Sequence, residues 1–328
     1  MQSISLRVLA TAVFLLAAGA VHAQPAANYP ARPVRMIVPF APGGASDFVA
    51  RIVQPGLTED LGQQIVIDNR AGASGNIGVQ VAAEATPDGY TMLLGNIGSM
   101  AINPSIYPRF PVRTLRDFIA VTQVVDVPTA LAAHPSVPSA TVKEFIAYAK
   151  ARPGKLNFGS AGAGSNGRLE MESFMNQAGI SLVQIPYKGG AGAASAALVG
   201  GEVSVAMITV ASVIPHVKAG RLKVLGVAAS KRVDALPAVA TMAESGFPGM
   251  TTGSWQGAYV PKGTPRPIVN RLYASFTKVL GEPEVIRRLG LGGAQVVTSK
   301  SPEEFAAFMK AQNEHFEKLV KQVGAVAE

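Results

Sequence analysis

Cysteine is absent from the whole 328-residue chain. That excludes disulfides, a thiolate metal site and any lipid-anchoring cysteine behind an export leader. An exported chain of this length needs no disulfide staples, because its core is large enough. Charge is also sparse, at 15% of residues. Lysines and arginines are scattered, so the net +8 reads as a solvated basic surface that weakly favours an anionic ligand. A nucleic-acid partner is not expected. Histidine is rarer still: behind the leader only His134, His216 and His315 remain, none at metal-ligand spacing from another. Glu314 and Glu317 flank His315 at offsets that point to different helix faces, so no metal is expected. After the N-terminus no apolar run reaches the roughly 18 residues of a membrane span. A nucleotide phosphate loop of the G-x-x-x-x-G-K-S/T type and a strict G-x-S-x-G nucleophile elbow are both missing.

What is present begins with an export signal. Arg7 precedes an apolar stretch over residues 8–21, and Val21-His22-Ala23 is a small-residue cleavage site. The mature chain is expected to start near Gln24, outside the cytoplasmic membrane, without a lipid anchor.

Two glycine loops then stand out. In the first, the apolar run Val34-Arg35-Met36-Ile37-Val38 leads through Pro39-Phe40-Ala41 into Pro42-Gly43-Gly44-Ala45-Ser46-Asp47. In the second, Leu156-Asn157-Phe158-Gly159 leads into Ser160-Ala161-Gly162-Ala163-Gly164-Ser165. Each joins a strand to a helix. Backbone N–H groups at a helix start lack internal partners and sit at the positive end of the dipole. Glycine lets an anion approach them closely. Two such loops could grip one anion from opposite sides.

The rest of the chain alternates strand and helix, which argues for parallel α/β sheets. Strands are expected at 34–38, 64–68 and 90–94, with helices at 48–61 and 77–85. Pro55-Gly56 predicts a kink or break in the first helix. Residues 121–127 look like a strand leaving the first lobe. The rhythm restarts with a capping box at Thr141-Val142-Lys143-Glu144. Strands at 156–159, 182–186, 203–208 and 222–228 and helices at 167–177 and 191–199 follow. Residues 252–259 look like the return strand, and three helices end the chain. The last opens at Ser301 and Pro302 and packs a stripe from Phe305 to Val320. The expected architecture is a hinged clamshell. Residues 24–126 and 251–328 form one lobe, 127–250 the other, and 1–23 the leader.

Several residues have two readings. Gly162-Ala163-Gly164-Ser165-Asn166-Gly167 fits the dinucleotide pattern, but no Asp or Glu falls between Glu172 and Glu202 to hold a ribose. No cofactor is therefore expected. Ser165 misses the nucleophile elbow by one residue, and no acid and histidine follow in a recognisable pairing. Asp47 is a helix cap or a partner for a ligand amine, and Ser46 is an equal cap whose hydroxyl could reach a carboxylate. Lys188 is a surface or a cleft lysine. Trp255 is core or hinge packing rather than a ligand stack.

Taken together, the motifs resemble one family. Tyr29-Pro30-Ala31-Arg32-Pro33-Val34, the first glycine loop, Asn69-Arg70-Ala71-Gly72-Ala73-Ser74-Gly75-Asn76-Ile77-Gly78, Pro87-Asp88-Gly89-Tyr90-Thr91, Ile102-Asn103-Pro104, Pro153-Gly154-Lys155-Leu156-Asn157, Pro186-Tyr187-Lys188-Gly189 and Gly263-Thr264-Pro265 are similar to those of the Bug-type substrate-binding proteins. These are the periplasmic receptors of tripartite tricarboxylate transporters. The resemblance covers the mature chain. It implies an α/β periplasmic-binding-protein clamshell whose mainly parallel sheets are joined by crossing strands. It implies a monomer that captures a small organic acid and hands it to membrane permease subunits. An exported enzyme acting on a carboxylate or ester, and a sensor for a two-component system, are the alternatives. The implied ligand residues are Pro42, Gly43, Gly44, Ala45, Ser46 and Asp47 from one loop and Ser160, Ala161, Gly162 and Ser165 from the other. Gly75, Asn76 and Asn96 would line the first lobe. Arg168, where many members have histidine, and Ile208-Thr209, where many have Asp-Asn, complete the set as departures. The lost acid argues against a ligand ammonium. It leaves a more apolar distal pocket, or one that Arg168 makes receptive to a second carboxylate.

Overall fold

The computed structural model describes residues 29–323 apart from 108, 163, 164, 189, 230, 249, 251 and 252. The expected leader, and Ala163 and Gly164 of the second glycine loop, lie outside the described residues.

The first sheet is built from β1 (Val34–Val38), β2 (Ile65–Asn69) and β3 (Thr91–Asn96), all parallel, in the order β2-β1-β3. Strand β9 (Gly253–Pro261) pairs antiparallel with β3 on one side and with β4 (Phe118–Ala133) on the other. The short β10 (Gln295–Val296) closes the edge against β4. Helices α1 (Ala45–Leu61), α2 (Asn76–Ala83), α3 (Asn103–Ile106) and α4 (Thr114–Asp117) belong to this region. A wide π-helical turn at Gly98–Ile102 leads into α3.

The second sheet comprises β5 (Asn157–Ser160), β6 (Val183–Pro186), β7 (Val205–Thr209) and β8 (Lys223–Ala228). Strands β6-β5-β7 run parallel, and the far half of β4 lies antiparallel between β7 and β8. Its helices are α5 (Val142–Lys150), α6 (Asn166–Ala178), α7 (Ala191–Val199) and α8 (Val210–Lys218). Three helices, α9 (Arg266–Leu280), α10 (Pro283–Leu291) and α11 (Pro302–Val323), return to the first sheet.

One strand therefore threads both sheets. Strand β4 pairs β9 as far as Pro128 and pairs β7 and β8 from Thr129 onward. Proline donates no ladder hydrogen bond, so it fits where one set of neighbours ends and another begins. Beyond Thr129 the strand alternates strictly: Ala130 and Ala132 face one buried cluster, Leu131 and Ala133 the other. Each sheet is covered on both faces. Helices α1, α9 and α10 pack over Val34, Met36 and Val38, while α11 packs Phe305 and Phe316 beneath Ile37 and Leu93.

Differences from the sequence reading have local causes. Helix α1 starts three residues before the expected position and continues through Pro55 to Gly62, which closes it at φ +68°. Strand β4 outruns its expected ends because the small residues Ala130, Ala132 and Ala133 are fully buried there. Helix α8 was not expected, since Pro215 reads as a breaker. The capping box at Thr141 forms: Thr141 accepts the Glu144 N–H, and the Glu144 carboxylate accepts from Ala140. Trp255 is core, donating Nε1–H to Gln312 and packing edge-on against Phe305 and Phe308.

Candidate ligand-binding cleft

A cavity of about 660 Å³, measured out to its open mouth, lies between the two sheets. Four α-helices start on it: Gly44, Ala45 and Ser46 begin α1, Ser165, Asn166 and Gly167 begin α6, Ala191 begins α7, and Thr209 caps α8. Ile97 and Gly98 add the start of the π-helical turn. No charged side chain stands among the described lining residues. A neutral wall ringed by helix starts suits an anion, because each start carries roughly half a positive charge on N–H groups that need an acceptor.

The α1 start is open. Gly44 is its N-cap and receives no side-chain cap. Asp47, expected as a cap or an amine partner, is not the N-cap residue and does not line the cavity. Its Oδ2 reaches back to accept from Gly43 N (3.0 Å) and takes Arg51 Nε (2.9 Å). Burial raises the Asp47 carboxyl, and the hydrogen bonds from Arg51 and Gly43 outweigh it, so the group lies below its ordinary value. Asp47 thus braces the loop from behind. Gly43 sits at φ +84°, which a side chain would strain. Asn69 Nδ2 ties the same loop to β2 through Phe40 O (2.9 Å).

The α6 start carries a side-chain cap. Ser165 Oγ accepts from Arg168 N (3.3 Å) and donates to Gly162 O (2.9 Å). Ser165 is a cap, and its proton is already in use. Behind this wall lies an acid that the sequence reading missed. Glu170 is 7% exposed, accepting Thr129 Oγ1–H (2.5 Å) and Asn166 Nδ2–H (2.9 Å). Thr129 and Asn166 both line the cavity. The signal was Asn166 and Glu170 at i, i+4 on a helix leaving a glycine loop. Thr129, from a distant strand, had no local signal. Arg168 does not line the cavity: its Nε donates to Glu172 (2.8 Å). Ile208 and Thr209 line the cavity without an acid, and Glu170 stands behind the wall rather than in the lining.

Of the expected residues, Gly44, Ala45, Ser46, Asn96, Ala161, Ser165, Ile208 and Thr209 line the cavity. Pro42, Gly43, Asp47, Gly75, Asn76, Ser160, Gly162 and Arg168 stand behind or beside it. Asn76 Oδ1 is held by Asn103 Nδ2 (2.6 Å), and Ser160 Oγ accepts from Gln184 (2.8 Å). Gly75 at φ +97° seats the Phe40 ring, from which a Cβ would be 3.0 Å away. Asn96 uses its Oδ1 to accept Ser99 N–H (3.0 Å), leaving Nδ2 as the group it offers the cavity. Lys188 is exposed and away from the lining. Phe40, Ser74, Met207, Ala191 and Ser254 complete the wall and were not expected.

The lobes touch through glycines. A Cβ on Gly192 would stand 2.9 Å from Pro42 O, one on Gly190 would be 2.8 Å from the Phe40 ring, and one on Gly162 would be 2.2 Å from Ser74 Oγ. At Gly192 backbone meets backbone, and at Gly190 and Gly162 the glycine backbone meets the Phe40 and Ser74 side chains, so the two sheet regions lie close together across the cavity.

Residues 49–325 match the family described as tripartite tricarboxylate transporter family receptor. The chain is 36% identical over 314 residues to Protein BugT of Bordetella pertussis, covering 95% of this chain and 96% of that one. A solved R. palustris protein with adipate is 34% identical, with a TM-score of 0.87 over 91% of this chain and 99% of that one. MatC from Rhodopseudomonas palustris with bound malate is 32% identical, with a TM-score of 0.83 over 89% and 100%.

Proposed function

This chain belongs to the tripartite tricarboxylate transporter receptor family, and from that premise we propose that it captures a small organic carboxylate in the cavity. The observation that carries the reading is the uncharged wall on which four α-helices start. In a closed, low-dielectric cleft such N–H groups bind a carboxylate without the desolvation cost of a buried cation. Adipate and malate in two neighbours belong to the same ligand class.

The protein works in the periplasm and hands its ligand to membrane permease subunits. Its lobes comprise residues 24–126 with 251–328, and 127–250; core clusters that fall largely on one sheet or the other, with Val127, Leu169 and Ala211 crossing over, support that division. Ligand bridging both lobes stabilises the closed form, a population shift driven by differential affinity. The protein binds without turnover. Ser165 is held by Gly162 and Arg168, and none of His134, His216 and His315 lines the cavity.

Calorimetry and thermal shift against mono-, di- and tricarboxylates test this. A cognate acid at about 100 times its dissociation constant raises stability by about 2.7 kcal/mol. Small-angle scattering should show compaction with ligand. Binding of amines or neutral solutes in preference to every acid overturns the reading, and consumption of the acid overturns the absence of turnover.

A further inference from the structure

We infer that Ser74 supplies a hydroxyl donor to an acid oxygen of the ligand, and that a strained left-handed turn holds it in place for that contact. The inference rests on the carboxylate-capture reading and names one donor within that site.

The backbone marks the residue first. Gly72, Ala73, Ser74 and Gly75 all have positive φ, at +134°, +45°, +56° and +97°. Gly75 N–H closes the turn on Gly72 O (2.9 Å). Glycine adopts this region freely, whereas alanine and serine do so at a cost, normally as single residues. Such strain persists only where surrounding contacts hold it, and it clusters at ligand clamps. Here the contacts come from α3 and the residue that follows it. Asn103, fully buried, donates from Nδ2 to Ser74 O (3.0 Å) and to Asn76 Oδ1 (2.6 Å). Tyr107 donates its hydroxyl proton to Ser74 Oγ (2.9 Å). A glycine at position 74 would make the same turn without strain. What serine adds is a hydroxyl.

The placement of that hydroxyl fits a ligand contact. Ser74 lines the cavity and is only 8% exposed. Gly162 of the second glycine loop packs against it, since a Cβ there would be 2.2 Å from Ser74 Oγ. Ser74 thus stands where the two sheet regions meet beside the cavity. Tyr107 occupies one lone pair of Oγ, and the serine's own proton has no acceptor among the described residues. Ser165 differs, because its proton goes to Gly162 O. A buried hydroxyl proton needs an acceptor. A carboxylate oxygen is an acceptor that the helix starts around the cavity also favour, and an O–H···O⁻ bond is of the strong, charge-assisted kind. Tyr107 is a positioning residue: its donation fixes which directions remain for the Ser74 proton and polarises that O–H bond.

The experiment takes as its probe the tightest binder among acetate, succinate, malate, adipate, citrate and benzoate. Titration calorimetry and thermal unfolding are run on the mature protein and its variants. Ser74→Ala and Ser74→Gly should each weaken the probe roughly 10- to 100-fold, the loss of one hydrogen bond to a charged group. Their stabilities should differ: the glycine variant should melt about 2 °C or more above the alanine variant, because it relieves the left-handed strain that alanine keeps. Equal losses of affinity at unequal stability separate the missing hydroxyl from damage to the fold. Tyr107→Phe should weaken the probe about threefold by itself and have no further effect in the Ser74→Ala background. Binding by Ser74→Ala and Ser74→Gly within about twofold of the parent, or a glycine variant that binds like the parent while the alanine variant does not, overturns the inference and leaves carboxylate capture intact. Equal melting of the two variants overturns the strained turn, and a further loss from Tyr107→Phe without the serine hydroxyl overturns the role of Tyr107. Failure of the parent to bind every acid on the panel overturns carboxylate capture and the inference with it.

Discussion

The starts of α1 and α6 look alike in sequence and do different work in the structure. Both follow a strand, both are glycine-rich, and both reach the cavity. At α1 the N-cap is Gly44, no side chain caps the helix, and Asp47 braces the loop from the far side. At α6 the N-cap is Ser165, which satisfies the helix itself, and an acid sits directly behind the wall. Asn96 and Asn166 differ in what holds them: Asn96 accepts Ser99 N–H through its Oδ1, while Asn166 donates one amide proton to Glu170. A glycine loop into a helix is thus not one device. The cap residue decides how many of the helix N–H groups stay open.

The sharpest way to break the comparison is to add one methyl group to each start. Gly167→Ala places a Cβ 2.0 Å from the Met207 carbonyl on β7, so α6 cannot seat; stability should fall by about 3 kcal/mol in denaturant titration. The same change at Gly44 meets only ordinary contacts at 3.6 and 3.7 Å and should leave stability within about 0.5 kcal/mol. Equal tolerance at both sites would mean that α6 does not rest on β7 in this way.

Next in size is Gly44→Val, whose branched side chain enters the space in front of the open N–H groups. Affinity for the cognate acid should drop about 100-fold, or about 2.7 kcal/mol, with the fold retained. A folded variant that binds as tightly as the parent would remove α1 from the site.

Asp47→Asn should weaken binding about tenfold, because the loop loses its ionised brace while the cavity wall keeps its atoms. Calorimetry on the variant decides this, with an unchanged affinity showing that the brace is dispensable. Acid stability sharpens the same point. Asp47 lies below its ordinary value, as does Asp60, held by Lys278, Ser275 and Arg271. Their stabilising contribution is complete above the unfolded carboxyl value of about 3.9 and is lost as pH falls through the depressed ones. Acid unfolding should begin below about pH 4, and Asp47→Asn should lose less stability on acidification than the parent.

The smallest effect belongs to Ser165→Ala. Removing the cap should cost about 1 kcal/mol of stability and change affinity by less than about threefold. An affinity loss as large as that of Gly44→Val would make the two starts equivalent after all.

How far the sequence carried can be judged element by element. Strand β1 and the first glycine loop were legible because an apolar run followed by Pro-Gly-Gly is a local signal. The three C-terminal helices were legible from their periodicity and caps. Helix α8 was hidden by Pro215, and the full span of β4 by alanines that carry no strand preference. Half of the expected ligand residues line the cavity. Asn76 and Ser160 stand off it because Asn103 and Gln184, far away in the chain, bond to them first.

The sequence by itself determined the α/β alternation, the two glycine loops and the absence of any cysteine chemistry. Those properties are set by neighbours within a few residues, through backbone sterics and periodic burial. Tertiary structure decided which side of each loop meets the ligand. Thr129 and Glu170 lie 41 positions apart and became one unit only when β4 crossed into the second sheet beside α6. The polarity of a hydroxyl or an amide depends on the partner that takes its proton first, and in this cleft that partner is brought by the fold.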